Sequence, residues 1–579
     1  MQPSDQNSVP VMTGAKMVIE ALHAEGVEHV FGYPGGSVLP LYDEIYKQDY
    51  FQHILVRHEQ AAVHAADAYS RCTDKIGVAI VTSGPGATNA VTGIATAYAD
   101  SIPMVVFSGQ VGCALIGTDA FQECDTVGIT RPCTKHNFLV KDVRELPETI
   151  KKAFYIARSG RPGPVLIDLP KDVQCAKAPF NYPETIDIVS YRPVVKGHSG
   201  QIKKALQVIL NAKRPLIYVG GGAVLSNAAE VLTKLVNHLD YPLVQTLMAI
   251  GAYSGNDPKN LGMVGMHGTY EANMAMQNCD VLLAIGARFD DRVIGNPADF
   301  ARNEHTVVQI DIDPSSISKC VPTDIPIVGD VKEVLTEMVN QLESSGAKPD
   351  PELTSEWKKK IAAWKAKLSL HYKTDPNGAI KPQAVIERVC RYTKGQAYYT
   401  TDVGEHQMWA AQYLKLDKPK LWMTSGGLGT MGYGFPAACG ACVAHPGKPV
   451  VCFTGDGSIQ MNIQELATAK QYGLAPKIVL LNNGYLGMVA VWQRAYYSGH
   501  MSESVMDVQP DFVKLVESYG HIGLRVKTYA ELDRAIDEAF TKYKDELVFI
   551  DVHVAPEEPV LPMVGPGQGL MDMVLAEEN

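Results

Sequence analysis

The segment Gly455–Asn483, GDGSIQMNIQELATAKQYGLAPKIVLLNN, permits fewer folds than any other stretch of this 579-residue chain. It reads as turn, helix, strand, and the apolar run PVVCFT before it supplies a strand ahead of the turn. A strand–helix–strand unit closes right-handed with its strands parallel. Its two strand ends, Gly455-Asp456-Gly457 and Asn482-Asn483, then lie side by side at the carboxyl edge of a sheet, where open α/β sheets bind ligands. Asp456 and Asn483 would each present an oxygen there. One anionic and one neutral hard oxygen are too few for a protein-only Ca²⁺ cage; they suit Mg²⁺, which completes its octahedron with phosphate oxygens and water. The backbone carbonyl of Tyr485 is a further candidate ligand. A helix beginning near Gly457-Ser458 offers free N–H groups to the same phosphates. Read alone, GDG is equally an ordinary strand-end turn with a capping aspartate; the second strand end, with its Asn pair, is what narrows it.

The same alternation of short apolar strands and helical patterns runs along the whole chain and predicts an α/β protein of three doubly wound parallel-sheet domains. The first spans 11–175, with strands in GVEHVFGYP, HILVRHE, IGVAIVTSG, IPMVVFSG and PVLIDLP. An aperiodic, Pro- and Gly-containing stretch reads as a linker to the second, 195–345, with strands PLIYVGGG, DVLLAIGARF and TVVQIDIDP. The charged segment SEWKKKIAAWKAKL reads as a solvated helix and TDPNGAIKP as a second linker. The third domain, 380–555, carries AYYTTDVG, LWMTSGG, PVVCFTGDG, KIVLLNN and VFIDVHV. The Gly/Pro-rich tail, 556–579, is a candidate lid. Domains one and three share length and alternation, as a duplicated architecture would, without a clear sequence repeat.

Composition excludes several classes. Net charge is −11 with no Lys/Arg-rich run, so nucleic acid is not an expected partner. The 11 cysteines are scattered and read as reduced core residues. Cys439 and Cys442 have CxxC spacing, but they lie in PAACGACVA, a small-residue run that reads as a tightly packed helix. No apolar run is long enough to span a membrane, and MQPSDQNSVP has neither the features of a secretory signal nor an Arg. A cytoplasmic, bacterial-type protein is the expectation.

The paired strand ends match the binding motif of thiamine-diphosphate enzymes. The Gly-rich stretch Ser425–Ala438, SGGLGTMGYGFPAA, resembles that superfamily's cofactor-bending segment, with Met431 as the wedge and Gly429 beside it. Thiamine chemistry requires removal of a very weakly acidic C2 proton, which the cofactor's own amino group accomplishes once a carboxyl group stabilises the imino form of the pyrimidine. One Glu in an apolar niche is therefore needed. Glu59, in ILVRHEQAAVHAADAYSR, sits where a strand meets a small-residue helix and matches the catalytic-glutamate motif; the alternative is an acid capping a helix N-terminus. His58 and His64 read as packing or hydrogen-bonding residues.

Within that superfamily, GYPGGSVLPLYD, IGTDAFQECD, GRPGPVLIDLPKDVQ, GMHGTYEANMAMQNCDVLLAIGARFDDRV and NNGYLGMVAVWQ resemble the acetolactate synthase (acetohydroxyacid synthase) large-subunit family. The resemblance implies condensation of pyruvate with pyruvate or 2-oxobutanoate, with loss of CO₂, towards branched-chain amino acids. It implies thiamine diphosphate and Mg²⁺, a structural non-redox FAD, a homodimer or homotetramer with sites shared between subunits, and a small regulatory subunit. Matching residues carry implied roles. Arg292 would bind the carboxylate of the second keto acid, and the alternative is a surface pair with Asp290 or Asp291. Trp492 would wall the acceptor pocket, Gln122 and Lys171 would line the cleft beside Phe121, and Gly36 would place a backbone donor near the reacting centre. Cofactor contacts would come from Val403, Gly404, Glu405, His406, Gly455, Gly457, Ser458 and Tyr485. Flavin contacts would come from Arg161, Gly220, Gly221, Gly222, His267, Gly268, Thr269, Gly286, Arg288, Asp311, Ile312 and Asp330, although GGGA is not a GxGxxG fingerprint. Many relatives carry Gln where this chain has Glu405, a carboxylate that needs hydrogen bonding or protonation beside a diphosphate. A pyruvate oxidase, another thiamine-dependent 2-keto acid decarboxylase and a catalytically silent scaffold are the competing readings.

Overall fold

Apolar runs that are buried on both faces favour parallel strands covered by helices, and three such sheets form in a computed structural model that describes residues 9–301 and 304–576. The first sheet runs Gln52–Leu55, His29–Gly32, Gly77–Val81, Met104–Gln110, Pro164–Pro170, His136–Leu139. The third runs Trp422–Met423, Tyr398–Thr401, Val450–Gly455, Lys477–Asn482, Val548–His553, Ile522–Val526. Numbered by chain order within each block, both have the strand order 2-1-3-4-6-5. The central sheet differs: Asn260–Met263, Leu243–Gln245, Pro215–Val219, Val281–Ile285, Thr306–Asp311, Ile325–Val328, an order of 3-2-1-4-5-6. That is the arrangement in which open sheets hold dinucleotides at the point where the order reverses.

The first and third blocks are packed face to face within the chain through helices Glu59–Cys72 and Gly434–Ala444. Their closeness depends on small residues: a Cβ at Gly440 would collide with the Ala65 carbonyl. Cys439 and Cys442 are buried in this second helix, and burial pushes the Cys442 thiol up to about 12. Such thiols behave as small apolar groups.

Several local expectations change. The charged helix forms, at Ser355–Lys365, but it is not simply solvated. Trp357 and Ile361 are buried in the central core, and Trp357 Nε1 donates to the Pro215 carbonyl at 3.0 Å. Truncating that tryptophan to Ala would cost about 3–5 kcal/mol. The linker after the first block begins with strand Lys177–Pro179, which pairs antiparallel with Val11–Thr13. The tail forms a two-stranded ribbon, Met563–Val564 with Met573–Val574, docked on the central block. Val564 and Leu570 are buried there, and the Asn296 amide N–H donates to the Gln568 carbonyl at 3.1 Å. Residues 577–579 of the tail, and residues 1–8 of the segment read for targeting signals, lie outside the described residues. Among the described residues no helix is long and apolar enough to cross a membrane.

Candidate active site

At the carboxyl edge of the third sheet, strands Val450–Gly455 and Lys477–Asn482 are parallel neighbours, with Gly455 opposite Leu481. Asp456 and Asn483 therefore leave the sheet side by side. Both line one cavity of about 70 Å³ together with Val403, Gly404, Glu405, His406, Met431, Gly455, Gly457, Ser458 and Tyr485. The Asp456 carboxylate accepts hydrogen bonds from the Gly484 amide (3.0 Å) and from Gln509 Nε2, and burial pushes its acid up to about 6. Asn483 Oδ1 accepts from the Tyr485 amide at 3.1 Å. The continuous helix expected at Gly457-Ser458 does not form. Two 3₁₀ turns, Ile459–Met461 and Ile463–Glu465, lead into a short helix, Leu466–Gln471, because Asn462 breaks the run to donate its side-chain amide to the Gly432 carbonyl at 2.7 Å.

The donors around this cavity fit a metal-bound diphosphate. His406 is buried, its Nε2 has no partner, and burial holds the ring neutral, with its pKa lowered to about 3. Such an orphaned nitrogen is costly unless a ligand satisfies it. The Gly-rich loop arches over the site from Asp402, which accepts from the Gly432 amide at 2.7 Å and from Thr454 Oγ1 at 2.9 Å. Met431 lines both this cavity and a larger one beside it, as a wedge between two ligand spaces must. Glu405 is also buried. Its Oε2 accepts from Asn483 Nδ2 at 3.1 Å, and burial pushes the carboxyl up to about 8, so the neutral acid is favoured near pH 7. Glu405 thus stands in this cavity as a hydrogen-bonding acid, not a bare anion.

Glu59 opens its helix with His58 as the cap, whose Nδ1 accepts from the Gln60 amide at 3.1 Å. The Glu59 side chain is 9% exposed. Its Oε2 accepts from Asn89 Nδ2 at 2.9 Å, and Oε1 lies against Gly86 of the following helix. His64 packs edge-on against Tyr433 and shares a 3.2 Å hydrogen bond with Gln60. Gly36 is exposed with open space around it. Gln122 adopts a left-handed φ of 61° against Gly84, Phe121 is 88% exposed, and Lys171 is exposed at the start of helix Lys171–Cys175. Within one chain Glu59 is not among the residues lining the Asp456 cavity.

The larger cavity, about 1020 Å³, lies where the central strand order reverses and is walled by all three blocks. Arg161, Gly220, Gly221, Gly222, His267, Gly286, Arg288, Asp311, Ile312 and Asp330 all line it, as do Arg292, Gly404 and Gly429. Gly220 and Gly222 sit against Gly286 so closely that a Cβ on either would clash with its backbone, which keeps the crevice open to backbone contacts. His267 is buried at this wall, its ring beside the Val560 and Pro562 backbones. This cradle fits a dinucleotide. Gly268 and Thr269 do not line it. Thr269 caps helix Tyr270–Asn278, accepting from the Ala272 amide at 3.2 Å, and Gly268 is pressed against the Met263 backbone. The Arg292 guanidinium is exposed, donating to Met266 Sδ at 3.3 Å, with Asp291 only at 3.9 Å. Trp492 is half-buried on helix Gly487–Tyr496, tilted against Tyr496 at 5.6 Å, and does not sit in the core.

Sequence reading missed Asp402, Asn89, Gln509 and Asp100. Asp402 follows a strand end in TTDVG, the same signal that marked Asp456. The others act across chain separations of 30 to 327 residues, with no local pattern to show it.

Comparison with known proteins adds independent findings. Three thiamine pyrophosphate enzyme family models match: the N-terminal TPP binding domain over 12–129, the central domain over 202–338 and the C-terminal TPP binding domain over 402–552. The acetolactate synthase large subunit of Haemophilus influenzae is 54% identical over 568 residues, covering 98% of both chains. That of Buchnera aphidicola is 54% identical over 98% of this chain and 99% of its own. The isozyme 3 large subunit of Escherichia coli is 53% identical over the same shares.

Proposed function

The chain belongs to the acetolactate synthase large-subunit family of thiamine-diphosphate enzymes, and from that premise we propose that it decarboxylates pyruvate and transfers the two-carbon unit to a second pyruvate or to 2-oxobutanoate. The observation that carries this reading is the convergence of Asp456, Asn483, His406 and Met431 on one cavity at adjacent strand ends. Asp456, Asn483 and the Tyr485 carbonyl would hold Mg²⁺. Gly404, Glu405, His406 and Ser458 would bind the diphosphate, with Met431 bending the cofactor. When bound, thiamine diphosphate supplies the nucleophilic carbon and the electron sink for CO₂ loss.

The protein's own groups set the conditions for that chemistry. Asn89 holds Glu59 Oε2, which leaves Oε1 free to carry a proton towards a pyrimidine nitrogen. Because Glu59 stands apart from the Asp456 cavity, each complete site takes Glu59, Gly36, Gln122 and Lys171 from a second copy of the chain, so the active form is at least a homodimer. Exposed Phe121 and left-handed Gln122 suit such a junction, since strained residues persist where function requires them. Arg292, exposed and paired with Asp291 at 3.9 Å, would receive the acceptor's carboxylate in a fork, and Trp492 would wall the acceptor side chain. The large cavity would hold FAD as a structural element, and a small regulatory subunit would join the assembly.

Product analysis tests the reading. With pyruvate, 2-oxobutanoate, Mg²⁺ and thiamine diphosphate, 2-hydroxy-3-keto acids should dominate; acetate or acetaldehyde as the main product would overturn it.

A further inference from the structure

The loop that carries Met431 is held from outside its own block. Asp100, the last residue of helix Pro85–Asp100 in the first block, accepts from the Gly426 amide through Oδ2 at 3.0 Å and from the Gly427 amide through Oδ1 at 2.7 Å. Arg71 fixes that carboxylate, donating Nη2 to Asp100 Oδ2 at 2.8 Å and Nε to Asp67 Oδ1 at 2.5 Å. Tyr433, at the far end of the same loop, donates its hydroxyl to Asp67 Oδ1 at 2.7 Å. In the middle, Thr96 Oγ1 and Thr430 Oγ1 are 2.7 Å apart. The loop is therefore gripped at both ends and at its centre by buried groups of the first block. A buried charge network of this kind adds little to stability by itself, and its members converge on the one segment that shapes the cofactor. Asp100, Gly426 and Gly427 also line the large cavity, and Arg161, another of its walls, donates Nε to Ser101 Oγ at 2.8 Å.

We propose that Asp100 is a positioning residue that presets the Met431 loop for thiamine diphosphate, and that it does so from the wall of the large cavity, so that filling that cavity stiffens the cofactor loop. This rests on the reading of the small cavity as the thiamine-diphosphate site and of the large one as a flavin site. A flavin that transfers no electrons would then act mechanically, immobilising Ala99–Ser101 and, through Asp100, the Gly426-Gly427 turn.

Calorimetric titration of thiamine diphosphate with Mg²⁺ into the full-length protein, with and without FAD, tests it. In the wild type, FAD should tighten thiamine-diphosphate binding. Asp100→Asn should weaken binding roughly tenfold or more, the scale of a lost charge-assisted contact, and should abolish the tightening by FAD while leaving the KM for pyruvate unchanged. Glu271→Gln serves as the control. It alters another partly buried carboxylate, one that accepts from Ser369 Oγ at 3.1 Å and touches neither the loop nor the lining of either cavity, and it should leave both the affinity and its response to FAD unmoved. If Asp100→Asn does not fold, Thr96→Val carries the test, with a smaller loss of the same kind. Wild-type affinity and wild-type response to FAD in the variant that folds would overturn the proposal. Absence of thiamine-diphosphate binding by the wild type would overturn the site reading itself, and the clamp with it.

Discussion

The first and third blocks repeat one strand order, 2-1-3-4-6-5, and use it differently. In the third, the carboxyl ends of adjacent strands converge on one pocket lined by Asp456, Asn483, Glu405 and His406, with Glu405 accepting from Asn483 and His406 Nε2 left without a partner. In the first, Glu59 sits in a dry niche made by Gly86 and Asn89, while Gly36, Phe121 and Lys171 around the same sheet edge are left exposed. On the proposed reading, one frame binds the cofactor and the other presents Glu59 to it. A duplicated fold thus supplies geometry, and the residues at the strand ends decide whether the copy anchors a ligand or acts on one.

If that division is right, lesions in the two blocks must separate. Asp456→Ala should abolish binding and turnover together, with a loss of roughly 10³-fold or more in rate, because several kcal/mol of metal-borne stabilisation disappear at once. Titration of thiamine diphosphate beside a rate assay checks it; retained affinity would break the comparison on the third-block side. Glu59→Gln should lose about 10²–10⁴-fold in rate, the span of general acid–base contributions, while cofactor affinity changes little. Exchange of the cofactor's C2 proton followed by NMR measures the step directly. Wild-type exchange would remove Glu59 from its role.

How much of this was legible depends on range. Central strands such as Val450–Gly455 and Val281–Ile285 are unbroken apolar runs buried on both faces, and the sequence displays them. The strands missed, His136–Leu139, Leu243–Gln245, Asn260–Met263, Ile325–Val328 and Ile522–Val526, are three to five residues long and lie at or next to sheet edges, where exposed residues such as Arg525 interrupt the pattern. Site residues at strand ends were readable for the same reason the strands were. Gly268 and Thr269 lie outside the lining of the large cavity, and a Gly-Thr pair ahead of a helix serves capping as readily as ligand binding. The clamps on the cofactor loops were invisible. Asp100 meets Gly427 across 327 residues, and Glu465 accepts from the Arg57 amide, two residues before Glu59, across 408. Tertiary contacts of that kind leave no periodicity.

The third block's pocket also has a pH signature. Glu405 is raised from 4.5 to about 8 by burial. An acid whose folded value lies above its unfolded one stabilises the fold fully below the lower value and loses that contribution as pH rises to the upper one. Cofactor-free protein should therefore lose on the order of a few kcal/mol between about pH 4.5 and pH 8 through this group. Glu405→Gln, which keeps an acceptor for Asn483 Nδ2, should flatten that part of the profile. Urea unfolding at several pH values measures it; an unchanged slope would show that the carboxyl is solvated and that the pocket is less sealed than its contacts indicate.

The smallest effect sharpens the comparison most. Trp492 lies on helix Gly487–Tyr496, four residues beyond Met488, so the two side chains share a face. Met488 lines both cavities, whereas Trp492 is half-buried, with the Tyr496 ring 5.6 Å away. A large ring left half-exposed near a pocket has area to offer a ligand, and an acceptor that carries one more methylene gains from it on the scale of 1–3 kcal/mol at most. Trp492→Leu should therefore shift the product ratio from 2-oxobutanoate towards pyruvate by on the order of tenfold, with little change in the rate of pyruvate decarboxylation or in stability. Both products measured in one competition assay give the ratio free of enzyme concentration. A change in decarboxylation rate instead of the ratio would place Trp492 in the chemistry of the first substrate; no change in either would make its exposed face part of an interface, and acceptor choice would then rest with groups that the first block contributes.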